Sequence, residues 1–447
     1  MGPISEQRLD RAYRVLSGDD SDERACEAIA DSACTALPRN YVLNVVNGAC
    51  TKLAEQIAGP NLVLPWMLAA VGAPASIIGF LMPVKQVFSL VPQLAISGQI
   101  RRVARRKWVW VGAGGIQAVA LLAMAAAAAV LGPVAAGLSV VLLLALFSAA
   151  SGAGSVAFQD VTAKTVPKGR RGMMLSNRAF IGGILTILAG GILQFRLNGG
   201  EAGAVYFALI VTAAILWALA ALVFMLVRED AGATEGGRNP LHELAAGLAL
   251  MRAQPGYRRF LTARALLLSV ELAAPFYALY GQTLFTGMPA ALGAFVLCIG
   301  LGNVLSSPIW GRFSDHSSRT VMALSGALAA ATAALALVVG TGPEALASPY
   351  LYALVFVVLG VAEQGVRLGR KTYLVDAAPA DERPLYVAFA NTGIGLLALV
   401  GGGLGAVSQW LGAPVALLFL GALGMLGALA CRAMPEAANM LEEGVRA

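Results

Sequence analysis

Charge is scarce in this chain. Only 13% of its 447 residues are Asp, Glu, Lys or Arg, where a soluble globular protein carries about 25%. Histidine is rarer still: His242 and His316 are the two, in different loops. Five cysteines are dispersed. Cys26 and Cys34 stand eight residues apart, which is not a metal-ligand spacing, and they give no reason to expect a disulfide. Cys50, Cys298 and Cys431 fall in apolar stretches, where cysteine packs as a small hydrophobe. No nucleophile–base constellation, phosphate loop or metal set stands out, so an enzyme is not expected, nor a cofactor or bound metal. The thirteen methionines show no repeated Met-x-x-x-Met spacing, which argues against a copper importer. The alternating segments of about 10 residues that build a transmembrane barrel are missing as well. The first 39 residues are polar, with no basic start leading into an apolar run, so no cleavable signal is expected.

What the chain has is hydrophobic length: 58% of its residues are hydrophobic. Successive apolar runs of about 20 to 29 residues are each long enough to cross roughly 30 Å of hydrocarbon as a helix. The expected fold is an all-α polytopic membrane protein with twelve transmembrane helices. Helices 1 to 6 are predicted at 41–69, 75–97, 108–131, 134–158, 173–195 and 203–227. Helices 7 to 12 are predicted at 260–284, 289–310, 320–340, 350–373, 385–410 and 413–433. Lys and Arg crowd into one alternate set of connections, at 101–107, 164–171, 228–259, 311–319 and 367–383; the other set holds only Arg196. The positive-inside rule then puts both termini and the linker in the cytoplasm, and the protein in the inner membrane.

Five segments follow: a tail (1–39), a six-helix half (40–227), a linker (228–259), a second half (260–434) and a tail (435–447). In the linker Leu241, Leu244, Leu248 and Met251 recur at helical spacing, which predicts a short amphipathic helix at the membrane surface or a packed connector. The halves echo each other. "AEQIAGP" in helix 1 pairs with "SVELAAP" in helix 7, a glutamate followed four or five residues on by proline. "GQIRRVARRK" (98–107) pairs with "GRFSDHSSRT" (311–320). The pairs Gly190–Gly191 and Gly402–Gly403 each begin nineteen residues after an arginine, Arg171 or Arg383.

With these features the chain resembles the major facilitator superfamily of transporters over about residues 40 to 434. The most specific element is that family's G-x-x-x-D-x-x-G-R-[RK] loop. "GRFSDHSSR" fits it with Gly311, Asp315 and Arg319 in register and Ser318 replacing the second glycine. "GQIRRVARRK" keeps Gly98, Arg106 and Lys107 but has Arg102 at the aspartate position and Arg105 at the glycine. The resemblance implies that these loops gate one face, and Arg102 cannot act there as the aspartate does. In helix 5 Thr186 and Ile187 replace the Gly-Pro of the family's proton-driven drug exporters, which weakens that reading. The resemblance also implies that helices 1, 4, 7 and 10 line a cavity and 3, 6, 9 and 12 face lipid.

The deep charges sort accordingly, since helices 3, 6, 9 and 12 carry none away from their ends. The candidates for substrate binding and coupling are Lys52, Glu55, Lys85, Arg178, Arg264, Glu271, Glu363 and Arg367. A charge at mid-bilayer costs about 2.5–3.5 kcal/mol on insertion scales, so such residues are functional or paired. Asn44, Asn47, Thr51 and Glu55 form a polar stripe in helix 1 with Gln56 beside it; Lys85, Ser89 and Gln93 form another in helix 2. Gly59, Pro60 and Pro275 are expected helix breaks, which in transporters point to the site.

The expected function is a secondary active transporter of a small solute working by alternating access, with proton coupling at Glu55 and with Glu271 and Glu363 as rivals. Lys52, Lys85 and Arg178 point to an anionic substrate. The alternatives are an uncoupled facilitator or hydrophobic-compound exporter, and a non-transporting sensor or assembly factor. Protons, a small solute and membrane lipid are the expected partners; nucleic acid is not, and a monomer is expected.

Overall fold

The computed structural model describes residues 3–17, 31–91, 100, 102–167, 170–197, 202–232, 240–286, 288, 291–343, 348–379 and 383–440. They form an all-helical membrane protein of two pseudo-symmetric six-helix halves. Among the described residues, ten helices are long and apolar enough to cross a membrane. Helices 1 and 2 fall short of that measure for local reasons. Helix 1 is broken into Leu37–Ile57 and Val63–Val71. Helix 2 is described as Ala75–Ile78 and Leu81–Leu90, and its predicted continuation lies outside the described residues.

Helices 3 to 6 are Lys107–Val130, Pro133–Thr165, Arg171–Leu197 and Ala202–Met225. A linker helix, Pro240–Ala253, leads into helix 7, which is divided into Pro255–Leu272 and Ala274–Leu284. Helices 8 and 9 are the spans Ala291–Ser314 and His316–Thr341, separated where Ser317 turns extended (φ −159°, ψ 100°). Helix 10 is Pro349–Ala377, helix 11 is Arg383–Gly401 with Leu404–Leu411, and helix 12 is Ala413–Arg432. Proline opens helices 4, 7 and 10, where its missing N–H is no loss. Gly72 and Gly412, both at φ +89°, make the reversals after helix 1 and before helix 12.

Helices 4, 8 and 10 run further towards the basic loops than the apolar runs predict, to Thr165, Ser314 and Ala377. Hydropathy marks where lipid contact stops, while a helix continues as long as its hydrogen bonds are kept. The linker helix packs through Gly247 on the Phe389 ring of helix 11 and leaves Leu244 and Leu248 exposed. Polar though it is, the N-terminal segment folds too. Helix Pro3–Ser17 lies on helices 1 and 5, with Tyr13 edge-on to Tyr41 at 5.2 Å between ring centres. Cys34 is in a disulfide, which corrects the expectation of none. Sequence spacing bears on metal ligation and does not decide which cysteines meet in the fold.

Apolar packing distinguishes the two faces of the molecule. One large buried cluster joins the halves, and the C-terminal half enters it only from helix ends remote from the basic loops, through residues such as Phe276, Phe295, Tyr352 and Leu417. Near the basic face each half keeps its own cluster, Tyr257–Phe260–Tyr373 in one and Tyr13–Tyr41–Met174 in the other. Among the described residues the halves are thus sealed at the far face and separate at the basic face. Glycines make the far seal close. A Cβ on Gly79 would collide with Gly405 of helix 11, and one on Gly190 with the Leu297 backbone of helix 8. Small residues let helices approach where lipid supplies no driving force. Large apolar side chains such as Val119, Ile215, Leu222 and Leu426 of helices 3, 6 and 12 stand exposed on the periphery, as lipid contact requires.

Candidate substrate and coupling site

Both broken helices place a glutamate just before the break. At Gly59 any Cβ would collide with the Glu55 carbonyl oxygen, so only glycine fits there, and Pro60 brings no N–H to continue the helix. Helix 1 resumes when Leu64 donates to the Gly59 carbonyl at 3.2 Å. In helix 7 the missing donor is that of Pro275, four residues after Glu271, so the Glu271 carbonyl loses its helical partner. A cleft at the helix 1 break is lined by Glu55, Gly59, Pro60 and Lys85, walled by Met124, Phe147 and Trp217.

Glu55 accepts from Lys52 Nζ at 3.5 Å, and the two side chains are 35% and 42% exposed although they lie mid-span. Their surroundings identify what they are exposed to. Glu55 is within Coulombic reach of Lys85 in helix 2 and of Arg367 in helix 10, across the boundary between the halves. The exposure is therefore to the space between the halves, which opens towards the basic face. Gly182 of helix 5 makes room for Lys52, since a Cβ there would press on the lysine stem. Gly48 likewise lets Arg178 lie across helix 1, where it donates to the Asn44 carbonyl at 3.1 Å and covers the Phe158 ring at 4.3 Å.

On the other side Glu271 is ion-paired with Arg370 Nη2 at 3.3 Å and accepts from Gln86 Nε2 of helix 2 at 3.1 Å. Glu363 is buried, with Oε1 lacking a hydrogen-bond partner among the described residues, and lies within reach of Arg367, Glu271 and Lys85. Arg264 gives Nη2 to Asn391 Oδ1 at 2.7 Å. The eight deep charges picked out in the sequence thus stand in one electrostatic neighbourhood. Three members were missed: Gln86, Arg370 and Lys371. The signal for two of them was available, because Glu363, Arg367, Arg370 and Lys371 follow one helical face at steps of four, three and one.

The polar stripe of helix 1 divides. Asn44 and Asn47 are fully buried, donating to the Asn40 carbonyl and, at 2.9 Å, to the Ala220 carbonyl of helix 6. Asn47 fastens helix 1 to its own half, while Asn44 and buried Thr51, bonded to the Gly48 carbonyl, stay within helix 1. Gln56 is half-buried. Gln93 and Gly98 lie outside the described residues, as does the Asp315 side chain. Arg102 is exposed, and a Cβ on Gly311 would meet open space.

At the basic face three acidic residues absent from the expected set organise the halves, two in the first and one in the second. Glu229, four residues past helix 6, accepts from the Arg106 and Lys107 backbone N–H groups at 3.1 and 2.8 Å and from Lys164 Nζ at 3.2 Å. Asp160 of helix 4 pairs with Arg106 and, at 2.7 Å, with Lys164. Glu436, four residues past helix 12, pairs with Arg319 at 2.7 Å and accepts from Ser317. The carbonyls two residues earlier match too: Lys107 Nζ donates to Val227 and Arg319 Nη1 to Met434.

Two six-helix halves sealed at one face around a charged space define a multi-pass membrane protein with the architecture of a solute transporter. Residues 267–444 match the model of the Major Facilitator Superfamily. Within the C-terminal half the chain is similar to that superfamily by sequence, and over nearly its whole length it has the fold of solved solute transporters. The nucleoside transporter NupG covers 88% of the chain and 99% of its own length, with a TM-score of 0.69 at 15% identity. A D-xylose–proton symporter covers 89% and 98%, with 0.67 at 14%. The inward-open xylose transporter XylE from E. coli covers 91% and 98%, with 0.63 at 14%. Uncharacterised proteins of Mycobacterium tuberculosis and Mycobacterium bovis are 26% identical over 262 residues, 58% of this chain. That stretch spans about half the length of those relatives.

Proposed function

We propose that the chain is a secondary active transporter that moves a small solute across the cytoplasmic membrane by alternating access, with a proton coupled at Glu55. One observation carries the reading: Glu55 and Lys52 form a pair at 3.5 Å directly before the helix 1 break, in the space between the halves. A pair of that kind has two arrangements. With the basic face open, Lys52 neutralises Glu55 and Arg367 of the other half adds to the field. Rocking the halves to open the far face changes the distance to Arg367, and a proton can replace the cation on the carboxylate. Glu271 and Glu363 are less suited, the first held by Arg370 and Gln86 and the second buried. The loop charge bias puts the basic face and both termini in the cytoplasm. A disulfide at Cys34, which a reducing compartment would not keep, argues the other way, and five concordant loops outweigh it.

The test is uptake into proteoliposomes with and without a pH gradient, comparing wild type with Glu55→Gln. Gradient-driven accumulation should disappear in the variant while downhill exchange persists. Unchanged gradient-dependent uptake would remove Glu55 from the coupling role, and uptake indifferent to the gradient in wild type would leave an uncoupled facilitator.

A further inference from the structure

The charges between the halves do not balance. Among the described residues, Lys52, Lys85, Arg178, Arg367, Arg370 and Lys371 face only Glu55, Glu271 and Glu363. Arg264, hydrogen-bonded to the neutral Asn391 amide, is a further cation beside this set. Six cations against three carboxylates leave an excess of three. Two carboxylates are already engaged, Glu55 by Lys52 and Glu271 by Arg370. Lys85, Arg367 and Lys371 make no hydrogen bond or ion pair within 4 Å among the described residues. They are close enough to repel one another: Arg367 acts on Lys85 from across the boundary and on Lys371 from one turn away.

Unpaired like charges in a confined, partly dry space are costly, and helices do not keep them for packing. They run as a ladder. Lys371 is exposed, six residues from the end of helix 10 at the basic face; Arg367 lies one turn deeper, and Lys85 comes from the opposite half at the cleft by the helix 1 break. An arginine fork and two ammonium groups are the donors that suit carboxylate or phosphate oxygens.

We infer that the solute is a small organic dianion, its two anionic groups (carboxylate or phosphate) bridging Lys85 of one half and Arg367 of the other, with Lys371 at the entrance. This rests on the transporter reading. Such a ligand supplies the missing counter-charge and ties the halves together, which gives it different contacts in the two states of an alternating-access cycle.

The experiment uses the full-length purified protein and follows its thermal midpoint with succinate, glycerol phosphate, acetate, xylose, putrescine, and sodium chloride at matched ionic strength. Succinate or glycerol phosphate should raise the midpoint at millimolar concentration, the effective one identifying the anionic group. The other four should leave it unmoved. Lys85→Met and Arg367→Met should each raise the half-saturating dianion concentration about tenfold or more, and Lys85→Arg should restore most of the affinity. Without ligand, both Met variants should melt at the wild-type temperature or above, since each removes an unpartnered cation. Lower unliganded midpoints in both would make these residues structural and overturn the inference, as would equal stabilisation by sodium chloride. Xylose or putrescine binding and crossing proteoliposomes while the dianions do neither would overturn it and leave the transporter reading intact. A dianion that binds without crossing would uphold the site and remove the transporter reading.

Discussion

Gln86 of helix 2 and Glu271 of helix 7 meet across the two halves, the amide Nε2 donating to carboxylate Oε2 at 3.1 Å. Arg370 holds the other oxygen at 3.3 Å, so one buried carboxylate is shared between a hydrogen bond to the opposite half and an ion pair within its own. Around it Met82, Val87, Leu268, Leu272, Ile394 and Ala398 form an apolar seam between helices 2, 7 and 11. The seam is where the halves touch at mid-depth, and any rocking motion must turn about it or break it.

Glu271→Gln leaves Arg370 buried without its counter-charge and should cost about 3 kcal/mol of stability. Gln86→Ala should cost about 1.5–3 kcal/mol, the value of a hydrogen bond to a charged group. The two changes share one contact, so in a double-mutant cycle their effects should fall short of additive by about 0.5–3 kcal/mol. Denaturation of the four proteins in one detergent measures this, and strict additivity would show that the contact between halves carries no energy.

Glu229 and Glu436 hold corresponding places in the two halves, yet their burial differs. The Glu229 side chain is 0% exposed and the Glu436 side chain 40%. Removing Glu229 strands two backbone N–H groups in a dry site and leaves Lys164 with Asp160 alone, so Glu229→Ala should destabilise by about 3–5 kcal/mol. Glu436→Ala breaks a largely solvated pair and should cost about 0–1 kcal/mol. Melting midpoints of the two variants check the order. A reversed order would mean that the pseudo-symmetric locks differ in some way other than burial.

The sequence carried the twelve helices, both proline breaks and the eight deep charges, because each is written in residues close together in the chain. Apolar length specifies a span, a proline specifies a lost donor, and a charge within a span must face inward. What it did not carry depends on long-range partners. Glu229 meets Arg106 from 123 residues away, and no spacing rule connects them. Arg370 and Lys371 sit at the end of the predicted helix 10, inside the basic stretch 367–383, where a cation reads as a topology signal rather than as part of a site. The odd Arg102 at the aspartate position is clarified by the fold, where Asp160 from helix 4 supplies the acid for Arg106. Asn44 and Asn47 share the period of Glu55, yet they bond within their own half, since a stripe on a central helix can face either the cavity or a neighbouring helix.

The glycine pair of helix 5 offers a sharper test, because its two members should behave oppositely. A Cβ on Gly190 would collide with the Leu297 backbone of helix 8, whereas nothing lies within 4 Å of one on Gly191. Gly190→Ala should push helices 5 and 8 apart, cost about 1–3 kcal/mol, and reduce transport. Gly191→Ala should be neutral or stabilise by about 0.4–1 kcal/mol through the unfolded state, with transport unchanged. In the partner pair of helix 11, Gly402 faces the Phe80 ring, a side chain that can swing aside, so Gly402→Ala should be milder than Gly190→Ala. Paired stability and flux assays decide, and equal effects at Gly190 and Gly191 would contradict the packing argument.

The contacts that dock the N-terminal helix can be removed singly. Tyr13 is 3% exposed and stacks edge-on against Tyr41; Asn177 of helix 5 donates to the Leu16 carbonyl and to the Tyr41 hydroxyl; Arg170 reaches the Ser17 carbonyl at 3.3 Å. An aromatic pair adds about 0.5–1.5 kcal/mol beyond the area it buries. Leu16 packs beside Tyr13 in the same cluster, and a helix this short and mostly polar has little reason to stay formed on its own. Tyr13→Ala should therefore release Pro3–Ser17 while leaving the spans in place. Amide exchange over residues 3–17 should rise by at least about tenfold, and trypsin should cut at Arg8, Arg11 and Arg14 sooner than in wild type, with the thermal midpoint of the whole protein little changed. Because helices 1 and 5 both border the opening at the basic face, a change of flux in the same variant would assign the docked helix a part in the transport cycle. Unaltered exchange would show that the helix is anchored by more than the Tyr13–Tyr41 contact.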